Sequence, residues 1–194
     1  MVNHPAPRRG AAVRPPKPTP AELLAAAGKS VPDVLAPHLR VLFCGINPGL
    51  YSGATGHHFA RPGNRFWRAL HGAGFTDRLL APWEERELLG RRYGITNLVA
   101  RATARADELT ETELLAGRRT LEVKARRYVS GFLAVLGIGA YRSAFERPSA
   151  TMGKQPERFG GAAIWVLPNP SGLNAHHQLD DLIERFRALR AAVQ

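Results

Sequence analysis

A chain of 194 residues with 44% hydrophobic content carries enough apolar side chains for one substantial core, and none of its apolar runs approaches membrane-spanning length. Cys44 is the single cysteine, which excludes an intramolecular disulfide and any cluster held by several thiolates of this chain. Twenty-seven Lys and Arg against 16 Asp and Glu give a formal net charge of +11, a field that draws in polyanions; the same excess also arises in a soluble protein that is simply rich in arginine.

Residues Met1 to Pro20 hold six prolines, the basic residues Arg8, Arg9, Arg14 and Lys17, and no acidic residue, a composition that predicts a disordered basic tail. Prolines and arginines stand where a secretory signal needs an apolar stretch, so the expectation is a soluble, cytoplasmic protein. Residues 21–194 read as one domain. Ala21 to Gly28 reads as a short helix, and Val41-Leu42-Phe43-Cys44 as a buried strand that ends in Gly45. Asn64 to Gly74 carries Phe66, Trp67, Leu70 and Ala73 at helical spacing, and Pro82 to Leu89 reads as a second short helix closed by Gly90. Ile95 to Val99 is the second strand. Thr110 with Glu113 three residues on is a capping box that opens a helix to about Tyr128. Phe132 to Leu136 is the third strand, Ala140 to Phe145 a helix, and Ile164 to Leu167 the fourth strand. The last helix, from about His177 to Ala192, places Leu179, Leu182, Ile183, Phe186 and Leu189 on one face. Strands alternating with helices predict an α/β fold, a three-layer α/β/α sandwich around a mainly parallel four-stranded sheet, whose strand-end turns gather at one edge.

Two of those turns carry unusual sequences. The first reads Gly45-Ile46-Asn47-Pro48-Gly49-Leu50-Tyr51-Ser52, the second Asn169-Pro170-Ser171-Gly172-Leu173-Asn174. Together with Phe59-Ala60-Arg61-Pro62-Gly63-Asn64-Arg65-Phe66-Trp67, Gly153-Lys154-Gln155 and Ile164-Trp165-Val166-Leu167-Pro168, they resemble the mismatch-specific uracil-DNA glycosylases, the Mug and thymine-DNA glycosylase type within the uracil-DNA glycosylase superfamily. The resemblance runs in family order from roughly Val31 to Leu189.

It implies a monofunctional DNA glycosylase of base excision repair, acting as a monomer without metal or organic cofactor on double-stranded DNA with a U·G mismatch, and open to thymine or ethenocytosine. Such an enzyme must flip the nucleotide out of the stack to reach its sugar bond. Asn47 takes the catalytic place and orients water, with an amide that cannot remove a proton as a carboxylate could. Ile46, Ser52, Phe59 and Asn169 bind the base, Phe59 by stacking and Ile46 and Phe59 also through backbone N–H groups. Leu173 is the wedge that fills the vacated space, Gly172 and Asn174 read the orphan base, and Ser171 contacts a phosphate. Taken alone, Asn47 could equally tie down a turn, Phe59 could belong to the core, and Leu173 could anchor its loop.

Two departures from the family stand out. Leu98-Val99-Ala100-Arg101 lacks an acidic residue usual there, and Asn174-Ala175-His176-His177 replaces a Ser-Arg that often follows the wedge. The first leaves open a catalytically weak damage-binding protein on the same scaffold. His57-His58 and His176-His177 raise a metal site, which the missing spaced Cys or carboxylate ligands disfavour. Gly45 and Gly49 match neither nucleotide-binding glycine spacing.

Overall fold

The computed structural model describes residues 13–172 and 177–193. Strands β1 (Leu39–Gly45), β2 (Tyr93–Asn97), β3 (Val129–Leu136), β4 (Gly153–Phe159) and β5 (Ala162–Leu167) form one sheet in the order β2-β1-β3-β5-β4. All neighbours are parallel except β4, which runs antiparallel to β5. The helices are α1 (Pro20–Leu24), α2 (Leu50–Thr55), α3 (Phe66–Gly72), α4 (Glu111–Tyr128), α5 (Ile138–Ala144) and α6 (Leu179–Ala192), with 3-10 segments at Pro82–Arg91 and Ala106–Glu108.

The alternation of side chains along the central strands creates the three layers. Val41 and Phe43 of β1 face Phe66 and Leu70 of α3 and Leu182 and Phe186 of α6, while Leu42 and Cys44 face Leu121 and Ala125 of α4 and Tyr141 and Ala144 of α5. Phe43 is the hub of the first layer, edge-on to Phe66 at 5.5 Å and to Phe75 at 5.4 Å, and parallel to Phe186 at 6.0 Å. The capping box forms as the spacing predicts: Thr110 Oγ1 accepts from the Glu113 N–H, and the Glu113 carboxylate accepts from the Thr110 N–H.

The sheet has five strands where the sequence predicts four. The extra one, β4, reads Gly-Lys-Gln-Pro-Glu-Arg-Phe, without apolar alternation and with a proline that removes a ladder donor. Such a segment survives only at a sheet edge, where β4 lies, and its register slips between Lys154 and Arg158, on either side of Pro156. Phe159 anchors it against Phe145 at 4.9 Å. The helix α2 is likewise unannounced, because Leu-Tyr-Ser-Gly-Ala-Thr is too short to display a period. Strand β2 begins and ends two residues earlier than expected, and the predicted helix at residues 21–28 stops at Leu24.

Residues 1–12 of the predicted tail lie outside the described residues. Of the remainder, the Arg14 guanidinium sits 5.6 Å from the centroid of the Trp83 ring, and Thr19 caps α1 through a box with Glu22.

Because β2, β1, β3 and β5 are parallel, their carboxyl ends share one edge. Main-chain bonds lace the turns there: the N–H groups of Leu98, Val99 and Thr103 donate to the carbonyls of Gly45 (2.8 Å), Ile46 (2.9 Å) and Pro48 (3.1 Å), and Gly137 donates to Leu167 (2.8 Å).

Candidate active site

A cavity of about 120 Å³ opens at this edge. Its wall takes in Ile46, Asn47 and Ser52 from the first motif, Asn169 and Ser171 from the second, and Phe59 from the segment between them. These six residues, singled out from sequence, therefore converge on one space. Gly172 packs on the backbone of Gly63, so close that a Cβ there would lie 2.8 Å from the Gly63 carbonyl oxygen. Leu173 and Asn174 lie outside the described residues.

Asn47 is oriented unambiguously. Its Nδ2 donates toward the Pro48 carbonyl (3.2 Å), the Arg101 carbonyl (3.0 Å) and Thr103 Oγ1 (2.7 Å), and the Thr103 hydroxyl spends its own proton on the Arg105 carbonyl. Carbonyls only accept, so the nitrogen must face them. Oδ1 has no protein donor among the described residues and is the atom left to accept from a water. The loop that receives Nδ2 is held from behind by Arg101, whose guanidinium grips the Glu113 carboxylate. That ion pair, with the Thr110 N–H, holds the Glu113 carboxyl down at about 2. Ala100, where an acidic residue is usual, is exposed and does not line the cavity.

Phe59 has φ +53°, a left-handed conformation that costs a non-glycine residue about 1–3 kcal/mol and is tolerated where neighbours fix it. Its ring stacks on Phe66 at 4.1 Å and 24° while also lining the cavity. The ring is thus backed by the core. The N–H groups of Ile46 and Phe59 find no partner among the described residues. Ser52 is buried at the cavity wall, its hydroxyl accepting from the Ala60 N–H at 3.2 Å.

Asn97, at the end of β2, also lines the cavity and was not singled out from sequence. Its Nδ2 lies 3.3 Å from Nδ1 of the buried His58, whose Nε2 lies 3.1 Å from the Pro32 carbonyl. Burial pushes the His58 imidazole below its ordinary pKa, against the opposing pull of Glu85. Gly45 makes room for the amide, since a Cβ there would come within 2.5 Å of Asn97 Oδ1. The buried Glu85 carboxylate accepts from the His58 N–H at 2.8 Å and meets His57 Nδ1 at 3.0 Å. His57 and His58, one of the two pairs that suggested a metal, thus have protein partners, whereas His176 of the other pair lies outside the described residues. A polar residue closing a strand at the turn-bearing edge was the available signal for Asn97, hidden by extending that strand to Val99.

The second motif turn is fixed by Asn169 and Arg65. Asn169 Oδ1 accepts from the Ser171 N–H at 3.0 Å, closing a local turn. Arg65, which precedes α3, donates its backbone N–H to the Pro170 carbonyl at 3.0 Å, and its guanidinium donates from Nη2 to the Ser171 carbonyl at 2.6 Å and from Nη1 to the His177 carbonyl. One guanidinium thereby holds chain on both sides of residues 173–176.

Among the described residues the lining contains neither carboxylate nor lysine; it offers amides, hydroxyls, an aromatic ring and, from Arg61 and Arg105, positive charge. Such a wall suits a planar, neutral, hydrogen-bonding heterocycle attached to a polyanion. The fold is similar to the solution NMR structure of a protein from Methanosarcina acetivorans, provisionally named a uracil DNA glycosylase, with a TM-score of 0.56 and 20% identity over 84% of this chain and 98% of that one. Residues 32–193, which include every cavity residue named above, match the model of the uracil DNA glycosylase superfamily, and the chain belongs to that superfamily.

Proposed function

We propose that this DNA glycosylase excises uracil mispaired with guanine from double-stranded DNA, leaving an abasic site. One observation carries the reading: the two motif turns line a single cavity, with the amide of Asn47 oriented to present Oδ1 and the ring of Phe59 backed by the core.

The flipped base lies against Phe59, a stacking contact worth ~1–3 kcal/mol, with Ile46, Ser52 and Asn169 around it and the Asn97 amide on its hydrogen-bonding edge. The bond from C1′ to N1 breaks with its electron pair leaving on the base, and the N–H groups of Ile46 and Phe59 stabilise the resulting anion. Water held on Asn47 Oδ1 then captures the oxocarbenium-like sugar, and the proton that water releases passes to the departed base anion, which leaves as neutral uracil. A neutral amide takes no proton from that water, so turnover is slow. The absence of lysine from the described lining supports a monofunctional enzyme, since no amine stands ready to form a Schiff base. Leu173 enters the stack, Gly172 and Asn174 address the orphan guanine, Ser171 contacts a phosphate, and the net charge of +11 makes binding salt-dependent.

The test is protein in molar excess over duplexes carrying U·G, U·A, T·G or ethenocytosine, followed by alkali and strand separation. Cleavage fastest at U·G is expected. If every strand stays whole while the duplexes still shift on a native gel, the protein is a damage binder and the proposal fails.

A further inference from the structure

We propose that His58 makes the pocket select uracil over cytosine by holding the Asn97 amide in one of its two orientations. The proposal rests on the reading of the cavity as a base pocket with Asn97 on the base's edge.

The orientation follows from a carbonyl. The Pro32 oxygen can only accept, and it lies 3.1 Å from His58 Nε2, so that nitrogen carries the proton and Nδ1 keeps its lone pair. His58 is only 2% exposed, and burial of its imidazole favours this neutral state. The lone pair faces Asn97 Nδ2 at 3.3 Å. Turning the amide by half a revolution would bring Oδ1 against the lone pair, two acceptors opposed with water excluded. The imidazole cannot easily yield: its backbone N–H is bonded to Glu85 at 2.8 Å and its carbonyl accepts from Trp67 Nε1 at 3.3 Å. The charged and titratable groups around it are Glu85, His57 and Asp33, the last paired with Lys124 at 2.6 Å.

In this orientation the amide has Oδ1 and the second Nδ2 hydrogen left to offer. Uracil presents a donor at N3 beside an acceptor at O4, and these two match. Cytosine presents an acceptor at N3 beside a donor at N4, the reverse order, and would be matched only by the turned amide. Selection against a normal base of DNA thus depends on His58 as a positioning residue: it reaches the same cavity wall, but its effect on the base passes through the Asn97 amide it holds.

The experiment uses duplexes in which a 2′-fluoroarabino uridine or cytidine, whose sugar bond resists cleavage, stands opposite an abasic residue, so that neither base is paired. Affinities are measured for the unmodified protein and for His58→Gln, His58→Asn and Asn97→Ala. Glutamine can donate toward Pro32 but places no acceptor at the Nδ1 position, whereas asparagine sets its Oδ1 there. The preference for uracil should fall at least about tenfold in His58→Gln, through tighter cytosine binding as well as weaker uracil binding, and return in His58→Asn. His58→Ala, which also removes the acceptor, gives the same reading should the glutamine variant not fold. If Asn97→Ala weakens uracil binding while the acceptor-free variants keep the ratio, or lower both affinities equally, His58 has no selective role and the proposal is overturned. If Asn97→Ala changes neither affinity, it is the base-edge reading that fails.

Discussion

The turn after β1 is secured from within, the turn after β5 from outside. In the first, Asn47 points its nitrogen at three acceptors and the main chain is laced to the β2 loop at Gly45, Ile46 and Pro48. In the second, Ser171 and His177 offer carbonyls to the guanidinium of Arg65, a residue that belongs to the segment leading into α3. The first arrangement fixes one atom, Oδ1, relative to the cavity; the second fixes the two flanks of residues 173–176. Fixing an atom serves chemistry and fixing flanks serves contact with a large partner, so the two halves should fail differently when broken.

The largest effect is expected at Asn47. Replacing it by alanine removes the water-accepting oxygen and should slow single-turnover excision of uracil opposite guanine by roughly 10²–10³-fold, on the scale of losing one preorganised transition-state contact. Affinity for a duplex holding an uncleavable uridine should change little. An Asn47→Ala protein that excises at the original rate would remove Asn47 from the mechanism.

Next comes Arg65. Lysine keeps the charge but loses the fork that reaches Ser171 and His177 together. Arg65→Lys should weaken binding to an abasic duplex by roughly tenfold, the value of a charge-assisted bond of about 1.4 kcal/mol, while the excision rate at saturating protein falls less. A rate lost in full with affinity retained would mean that the turn after β5 acts on the chemistry, and the distinction between the halves would collapse.

The same contrast explains what could be read from the residues alone. Asn47, Phe59 and Ser171 were singled out only through the resemblance carried by the stretches that hold them, and what the structure adds is that all three line one cavity. Arg65 was not singled out, because its partners are main-chain carbonyls 106 and 112 residues further on, and a carbonyl has no residue identity to recognise. Asn97 was missed through a two-residue shift of β2, which moved it from the strand's end to its middle. The layers were legible from Val41 to Cys44 and from Leu179 to Leu189, where apolar spacing follows geometry. Strand β4 was not, since pairing with β5 and not its own composition makes it a strand.

The smallest effect is a pH dependence that isolates the His58 contact. Its pKa in the fold lies below the ordinary 6.5, chiefly through burial. The unfolded chain therefore takes up this proton more readily, and the stability contributed by the neutral ring is present above 6.5 and lost as pH falls below it. The Glu113 carboxyl, held at about 2 by Arg101, loses its contribution only between about 4.5 and 2, so it does not titrate between pH 8 and pH 5. Thermal unfolding followed from pH 8 to pH 5 should show Tm falling more steeply in the unmodified protein than in His58→Asn, whose amide does not titrate. Parallel curves would mean that His58 takes up its proton as easily in the fold as outside it, and the fixed lone pair facing Asn97 would lose its support.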